Sequence, residues 1–139
     1  MAFTYPYTIK FADVDAAGLV YYPRYFNICH LALEALFEEK SPIKFSHFIY
    51  QRRLGLPIVK VEAEYNSPLW FEDRLDVELA IMSIGTSSVK TRYRFLHGAS
   101  LNVCFLASVT TVCTDLDKKR SMPLPQDLRD FLACFMVES

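Results

Sequence analysis

At 139 residues the chain reads as one domain, large enough to hold a core without disulfide or metal staples. A net charge of -1, from 15 basic and 16 acidic residues, lacks the basic excess with which nucleic-acid binders neutralise phosphates. No stretch approaches the roughly 20 apolar residues that span a bilayer, and residues 1–6 show no charged region leading into an apolar run, so neither a membrane span nor a signal peptide is expected.

The first element alternates: Phe3, Tyr5, Tyr7, Ile9 and Phe11 share one face, a period of two that predicts a strand. Pro6 has no backbone donor and places that strand at a sheet edge. A loop of residues 12–22 follows, holding Asp13, Asp15 and Gly18. Pro23 suits the first turn of a helix. From there Tyr25, Phe26, Cys29, Leu33, Leu36 and Phe37 recur at helical spacing, and Leu31, Ala32 and Ala35 widen the apolar surface. Only Asn27, His30, Glu34 and Glu38 stay polar, so this helix is expected to be largely buried. Ser41-Pro42 is placed to cap a short second helix reaching Arg53.

Beyond Gly55 the period returns to two. Val59, Val61, Ala63 and Tyr65 form one predicted inward face; Leu75, Val77, Leu79 and Ile81 a second; Val89, Thr91, Tyr93 and Phe95 a third. Leu101, Val103, Phe105, Ala107 and Val109 make a fourth. Gly85 and His97-Gly98 mark hairpin turns. Leu128, Phe131, Leu132 and Phe135 then predict a last amphipathic helix. A strand, a buried helix and four more strands imply an α+β domain in which an antiparallel sheet wraps one long helix. Cys29, Cys104, Cys113 and Cys134 form no C-x-x-C pair and sit in apolar runs. They read as buried free thiols of a cytoplasmic protein, with no metal site. Hydrophobic residues make up 52% of the chain and aromatic residues 14%, a surplus that points to a subunit interface.

Chemistry is expected where the loop of residues 12–22 meets the helix. A helix N-terminus carries unpaired amides and a positive partial charge. Pro23 has no N–H, which leaves Tyr22, Arg24 and Tyr25 as the nearest donors, able to stabilise an oxyanion. An ionised Asp15 beside them is a general base for water or a nucleophile. The plainer reading of an aspartate in such a loop is a cap or an Asx-turn. His30, on the polar line of the helix, either orients substrate and moves a proton or is hydrogen-bonded to Glu34 one turn on. Lys90 and the run Lys118-Lys119-Arg120 either hold phosphates or are a solvated face. No Ser–His–Asp arrangement is recognisable.

The segment Phe11-Ala12-Asp13-Val14-Asp15-Ala16-Ala17-Gly18-Leu19-Val20-Tyr21-Tyr22-Pro23 resembles the motif that opens the long helix in the 4-hydroxybenzoyl-CoA thioesterase family. Leu56-Pro57-Ile58-Val59, Tyr65-Asn66-Ser67-Pro68 and Asp73-Arg74-Leu75 extend the resemblance over nearly the whole chain. Cys29-His30, Lys118-Lys119 and Pro123-Leu124-Pro125-Gln126 look like the cyanobacterial 1,4-dihydroxy-2-naphthoyl-CoA branch, which serves phylloquinone synthesis. The resemblance implies a hotdog fold, a homodimer or homotetramer with the pocket between subunits, and hydrolysis of an acyl-CoA. No separate cofactor is implied, since coenzyme A is part of the substrate. It makes Asp15 the catalytic carboxylate, the Tyr22 amide the oxyanion donor, Gly18 and Val20 the residues that shape the loop, and Asp13 structural. His30, Lys90, Lys118, Lys119 and Arg120 are the remaining candidates for substrate binding. Other acyl groups (4-hydroxybenzoyl, short aliphatic chains, or chains on acyl carrier protein) and a non-catalytic acyl-CoA-binding protein are the alternatives. Two departures stand out. Glu72 occupies the position before Asp73 where the family has glycine, and residues 83–88 lack the basic cluster of the 4-hydroxybenzoyl enzyme.

Overall fold

A computed structural model describes residues 1–137. Strand β1 (Phe3–Thr8) buries Phe3 and Tyr7 and turns Thr4, Pro6 and Thr8 outward. The period of two persists through Ile9 and fails at Phe11. There a 3-10 turn, Phe11–Asp13, rotates the ring into solvent and leaves it 78% exposed.

Helix α1 (Arg24–Lys40) buries Tyr25, Ile28, Cys29, Ala32, Leu36 and Phe37. Asn27, His30, Glu34 and Glu38 face outward as expected, but Leu31 stands exposed among them, so a single protomer covers only one side of the helix. The second helix expected from Ser41 to Arg53 contracts to one helical passage ending in a π-turn, His47–Gln51. Phe45 stacks on Phe37 and Phe48 meets it edge-on, with centroids 4.5 and 6.2 Å away, which pins only the middle of the segment to the core.

The strands that follow are β2 (Leu54–Gly55), β3 (Ile58–Tyr65), β4 (Arg74–Ile84), β5 (Ser88–His97), β6 (Val103–Val112), β7 (Thr114–Asp115) and β8 (Arg120–Ser121). Helix α2 (Gln126–Ala133) closes the described chain. Five strands form one sheet in the order β1-β4-β5-β6-β3, each pair antiparallel. Pro6 lies in an edge strand, as its missing donor requires. The small sheet β2-β7-β8 was not expected; strands of two residues are too short to show a period. Inward-facing Val77, Leu79, Ile81, Phe95 and Phe105 are fully buried and share one core with Ile28, Ala32 and Leu36 of α1.

Two more expectations are corrected. The alternation in β3 predicted an inward face of Val59, Val61, Ala63 and Tyr65, yet every residue of β3 is exposed. The strand forms the free edge of the sheet beside β6, and no described element covers it. The cysteines also divide: Cys29, Cys104 and Cys113 are buried free thiols, whereas Cys134 is exposed because it follows the last turn of α2. Among the described residues no helix is long and apolar enough to cross a membrane.

Candidate active site

The loop between β1 and α1 is a small hairpin. Tyr21 donates its amide to the Asp13 carbonyl (2.9 Å), Val14 bridges Val20, and Asp15 donates to the Leu19 carbonyl (2.8 Å). The tip closes when the Gly18 amide donates to the Asp15 carbonyl at 3.0 Å. Gly18 sits at φ +84°, a conformation that glycine adopts without the steric penalty of a side chain. The returning arm is held to residues 69–71. Val20 donates to the Leu69 carbonyl, Phe71 donates to that of Gly18, and Leu19 bridges Trp70. Val20 is buried beneath it.

Asp13 anchors the base of this hairpin. Its carboxylate is 2% exposed and accepts from the Tyr7 hydroxyl (2.6 Å), the Lys10 amide (2.9 Å) and, at 3.4 Å, the Arg24 guanidinium. One side chain thus ties together β1, the loop and the start of α1. Burial, reinforced by the bond to Asp13, pushes the Tyr7 hydroxyl well above the ordinary tyrosine range, so it remains a donor. The structural role expected for Asp13 is the one its contacts describe.

Asp15 is exposed at the hairpin tip. Its Oδ1 accepts from the Ala17 amide (2.8 Å) and the Leu19 amide (3.3 Å), the Asx-turn that is the plainer expectation. Oδ2 has no partner among the described residues, so the same turn that fixes the carboxylate leaves one oxygen free. Asp15 borders a cavity of about 400 Å³ with Phe11, Val14, Ala16, Gly18 and Phe71. The Phe11 and Phe71 rings form an aromatic wall with centroids 5.8 Å apart.

At the helix start, Arg24 donates its amide to the Tyr21 carbonyl (2.8 Å), which removes it from the three candidate donors. The Tyr22 amide has no partner among the described residues. Its carbonyl accepts from the Tyr65 hydroxyl at 3.2 Å, and Tyr65 in turn packs edge-on against Tyr25 at 4.9 Å. The hairpin register pairs Asp15 with Leu19 near the tip and leaves Tyr22 three residues further along the returning arm, about 10 Å of extended chain away. Tyr22 is not part of the lining of the cavity at Asp15.

The sequence profile of the thioesterase-like superfamily fits residues 9–132. The chain belongs to the thioesterase-like superfamily. It is 34% identical over 126 residues to a 1,4-dihydroxy-2-naphthoyl-CoA hydrolase of Synechococcus elongatus, covering 89% of this chain and 90% of the relative. Among solved structures, a 1,4-dihydroxy-2-naphthoyl-CoA thioesterase from Synechocystis superposes with a TM-score of 0.87 at 26% identity, over 96% of both chains. A gentisyl-coenzyme A thioesterase superposes at 0.79, also at 26% identity, over 91% of this chain and 98% of that one. The antiparallel sheet with its long helix is therefore the hotdog fold of this superfamily.

The other candidate residues of this hotdog domain are dispersed. His30 is exposed and makes no hydrogen bond to Glu34; it stands on the wall between two further cavities. One of these opens beside Asp13, Arg24 and Asn27. The other, about 490 Å³, lies between α1 and the inner face of the sheet. Lys90 projects from the outer face of β5, and Lys118, Lys119 and Arg120 are exposed around the β7–β8 turn. None of these four lines the cavity at Asp15. Asp115 shapes their turn by accepting from the Asp117 and Lys118 amides, and these bonds hold its carboxyl below the usual carboxylate range.

The sequence reading passed over two groups. Tyr7, Lys10 and Arg24 were not connected to Asp13, because a contact across a loop leaves no periodic trace. Thr91 and Tyr93 were assigned to the inner face of β5 for their spacing alone. The signal available was chemical: two hydroxyls on a face otherwise made of Val89 and Phe95.

Proposed function

We propose that the chain hydrolyses an aromatic acyl-CoA thioester, with 1,4-dihydroxy-2-naphthoyl-CoA as its substrate and phylloquinone synthesis as its setting. The observation that carries this reading is an oriented carboxylate with a free oxygen, on the loop that leads into the long helix of a thioesterase-like domain. The hydrolase of Synechococcus elongatus and the thioesterase of Synechocystis support the choice of acyl group.

In this reading Asp15 is the reacting group. It either attacks the thioester carbon, expelling the coenzyme A thiolate and leaving an acyl–Asp15 anhydride that water hydrolyses, or takes a proton from a water that attacks the same carbon and expels that thiolate. In both routes the carbonyl oxygen collects the developing charge against the Tyr22 amide. The helix dipole adds a favourable field there. Gly18 and Val20 set the loop. His30 and the cations Lys90, Lys118, Lys119 and Arg120 complete the substrate contacts, the cations as partners for coenzyme A phosphates. Leu116, which lines the cavity between α1 and the sheet, lies close in sequence to that basic turn.

The active unit is a homodimer or homotetramer. Support comes from the free edge of β3, which presents Ile58, Val59 and Val61 to solvent together with unpaired backbone groups. Natural proteins rarely leave so apolar an edge open. Buried free thiols support a reducing, cytoplasmic setting.

The test is thiol release from a panel of naphthoyl-, benzoyl- and short aliphatic acyl-CoAs. The hydroxylated naphthoyl thioester is expected to have the highest kcat/KM. Preference for aliphatic chains would overturn the substrate assignment, and tight binding without turnover would overturn the enzymatic one.

A further inference from the structure

The cavity between α1 and the inner face of the sheet is lined by two hydroxyl groups. Thr91 and Tyr93 project from β5 into it and are only 6% and 4% exposed, yet neither hydroxyl has a protein partner among the described residues. Neither hydroxyl belongs to the sealed polar atoms left unpaired among the described residues, which are the Nε atoms of Arg24, Arg92 and Arg94, so both open onto the cavity, where a ligand or water completes them. Elsewhere the cavity is apolar, with Leu33 and Phe37 of α1, Ile81 and Val109 of the sheet, and Leu132 of α2 among its walls. Its volume of about 490 Å³ falls within the roughly 300–1,000 Å³ of small-ligand pockets. Phe26, one helical turn beyond Tyr22, lines the end nearest the start of α1.

We propose that this cavity receives the acyl group and that the Tyr93 and Thr91 hydroxyls select an aromatic acyl ring bearing hydroxyl substituents over its unsubstituted counterpart. The inference rests on the thioesterase reading above and names the residues that set its acyl specificity. The apolar walls take the ring by burial, a contribution that hydroxylated and plain rings share. Discrimination must then come from the two hydroxyls, which a hydroxylated ring satisfies and a plain ring leaves stranded. Burial, together with the nearby Cys29, pushes the Tyr93 hydroxyl far above the ordinary tyrosine range, so it meets the ring as a neutral O–H that can donate and accept. The ring end at Phe26 brings the thioester toward the Tyr22 amide.

The test compares wild type, Tyr93→Phe and Thr91→Val, each checked for an unchanged melting curve. Calorimetric binding of 1-hydroxy-2-naphthoate and 2-naphthoate is measured beside kcat/KM for the matching CoA thioesters. Wild type is expected to favour the hydroxylated ligand. Tyr93→Phe should erase about tenfold of that preference, and Thr91→Val a smaller share, while affinity for 2-naphthoate changes less than about twofold. Equal losses on both ligands, or an undiminished preference in both variants, would overturn the proposal. The binding arm separates the two readings: hydroxyl preference that depends on Tyr93 without any hydrolysis upholds this cavity and refutes the thioesterase.

Discussion

Replacing Asp13 by alanine tests whether the buried carboxylate organises the whole loop. The substitution strands the Tyr7 hydroxyl, bonded at 2.6 Å, and the Lys10 amide, bonded at 2.9 Å. A buried donor left without its acceptor costs about 1–3 kcal/mol. Taking about 2 kcal/mol for the hydroxyl and about 1 kcal/mol for the part-buried amide gives a loss of about 3 kcal/mol. The Arg24 contact is longer, at 3.4 Å, and its side chain is 36% exposed, so solvent screening removes most of its share. Against a total stability of about 5–15 kcal/mol this is a large fraction. At about 3 °C per kcal/mol for a chain of this size, Tm should fall by about 10 °C. Tyr7→Phe removes donor and bond together and should cost about 1 kcal/mol. The double variant then reports the coupling. Urea unfolding followed by circular dichroism measures all three. Asp13→Ala within about 0.5 kcal/mol of wild type, the range of ordinary surface substitutions, would refute the anchoring role.

Glu72 holds φ +73° in the turn that presents Phe71 to the Asp15 cavity, a conformation costing a non-glycine residue about 1–2 kcal/mol. Glu72→Gly relieves that strain and gives back part of it as unfolded-chain entropy, so thermal melting should show Tm higher by about 2–3 °C; a lower Tm would contradict it. Val61, 43% exposed on the free edge of β3, should tolerate lysine in the protomer and not in the assembly. Light scattering is expected to report a smaller particle for Val61→Lys than for wild type, and an unchanged mass would rule out β3 as the interface.

The period of two and the helical spacing made the architecture legible. Burial of Val77, Leu79 and Phe95 on one side of the sheet and of Ile28 and Leu36 on the facing helix is what those spacings encode. Where periodicity misled, a neighbour was missing or an extra constraint acted. β3 alternates as though covered, and the protomer offers it no cover. Phe11 continues the pattern of β1, but the 3-10 turn needed to bring Asp13 under Tyr7 rotates it outward. Glu72 shows the value of a departure from pattern: where the family has glycine, the backbone keeps the left-handed conformation that glycine favours. At the site, the motif located Asp15, Gly18 and Tyr22 on one loop. The bonds that orient them, from Ala17 and Leu19 to Asp15 and from Tyr65 to Tyr22, depend on folded geometry that spacing does not carry.

Whether the free oxygen of Asp15 does the chemistry is measured directly by thiol release from 1,4-dihydroxy-2-naphthoyl-CoA by wild type and by Asp15→Ala. Because the Asp15 side chain is exposed and bonded only within its own hairpin tip, the variant should keep the fold, with a melting curve close to wild type. In Asp15→Ala kcat should fall by at least about a hundredfold with KM little changed, the low end for a positioned base. Equal turnover by the two proteins would contradict it.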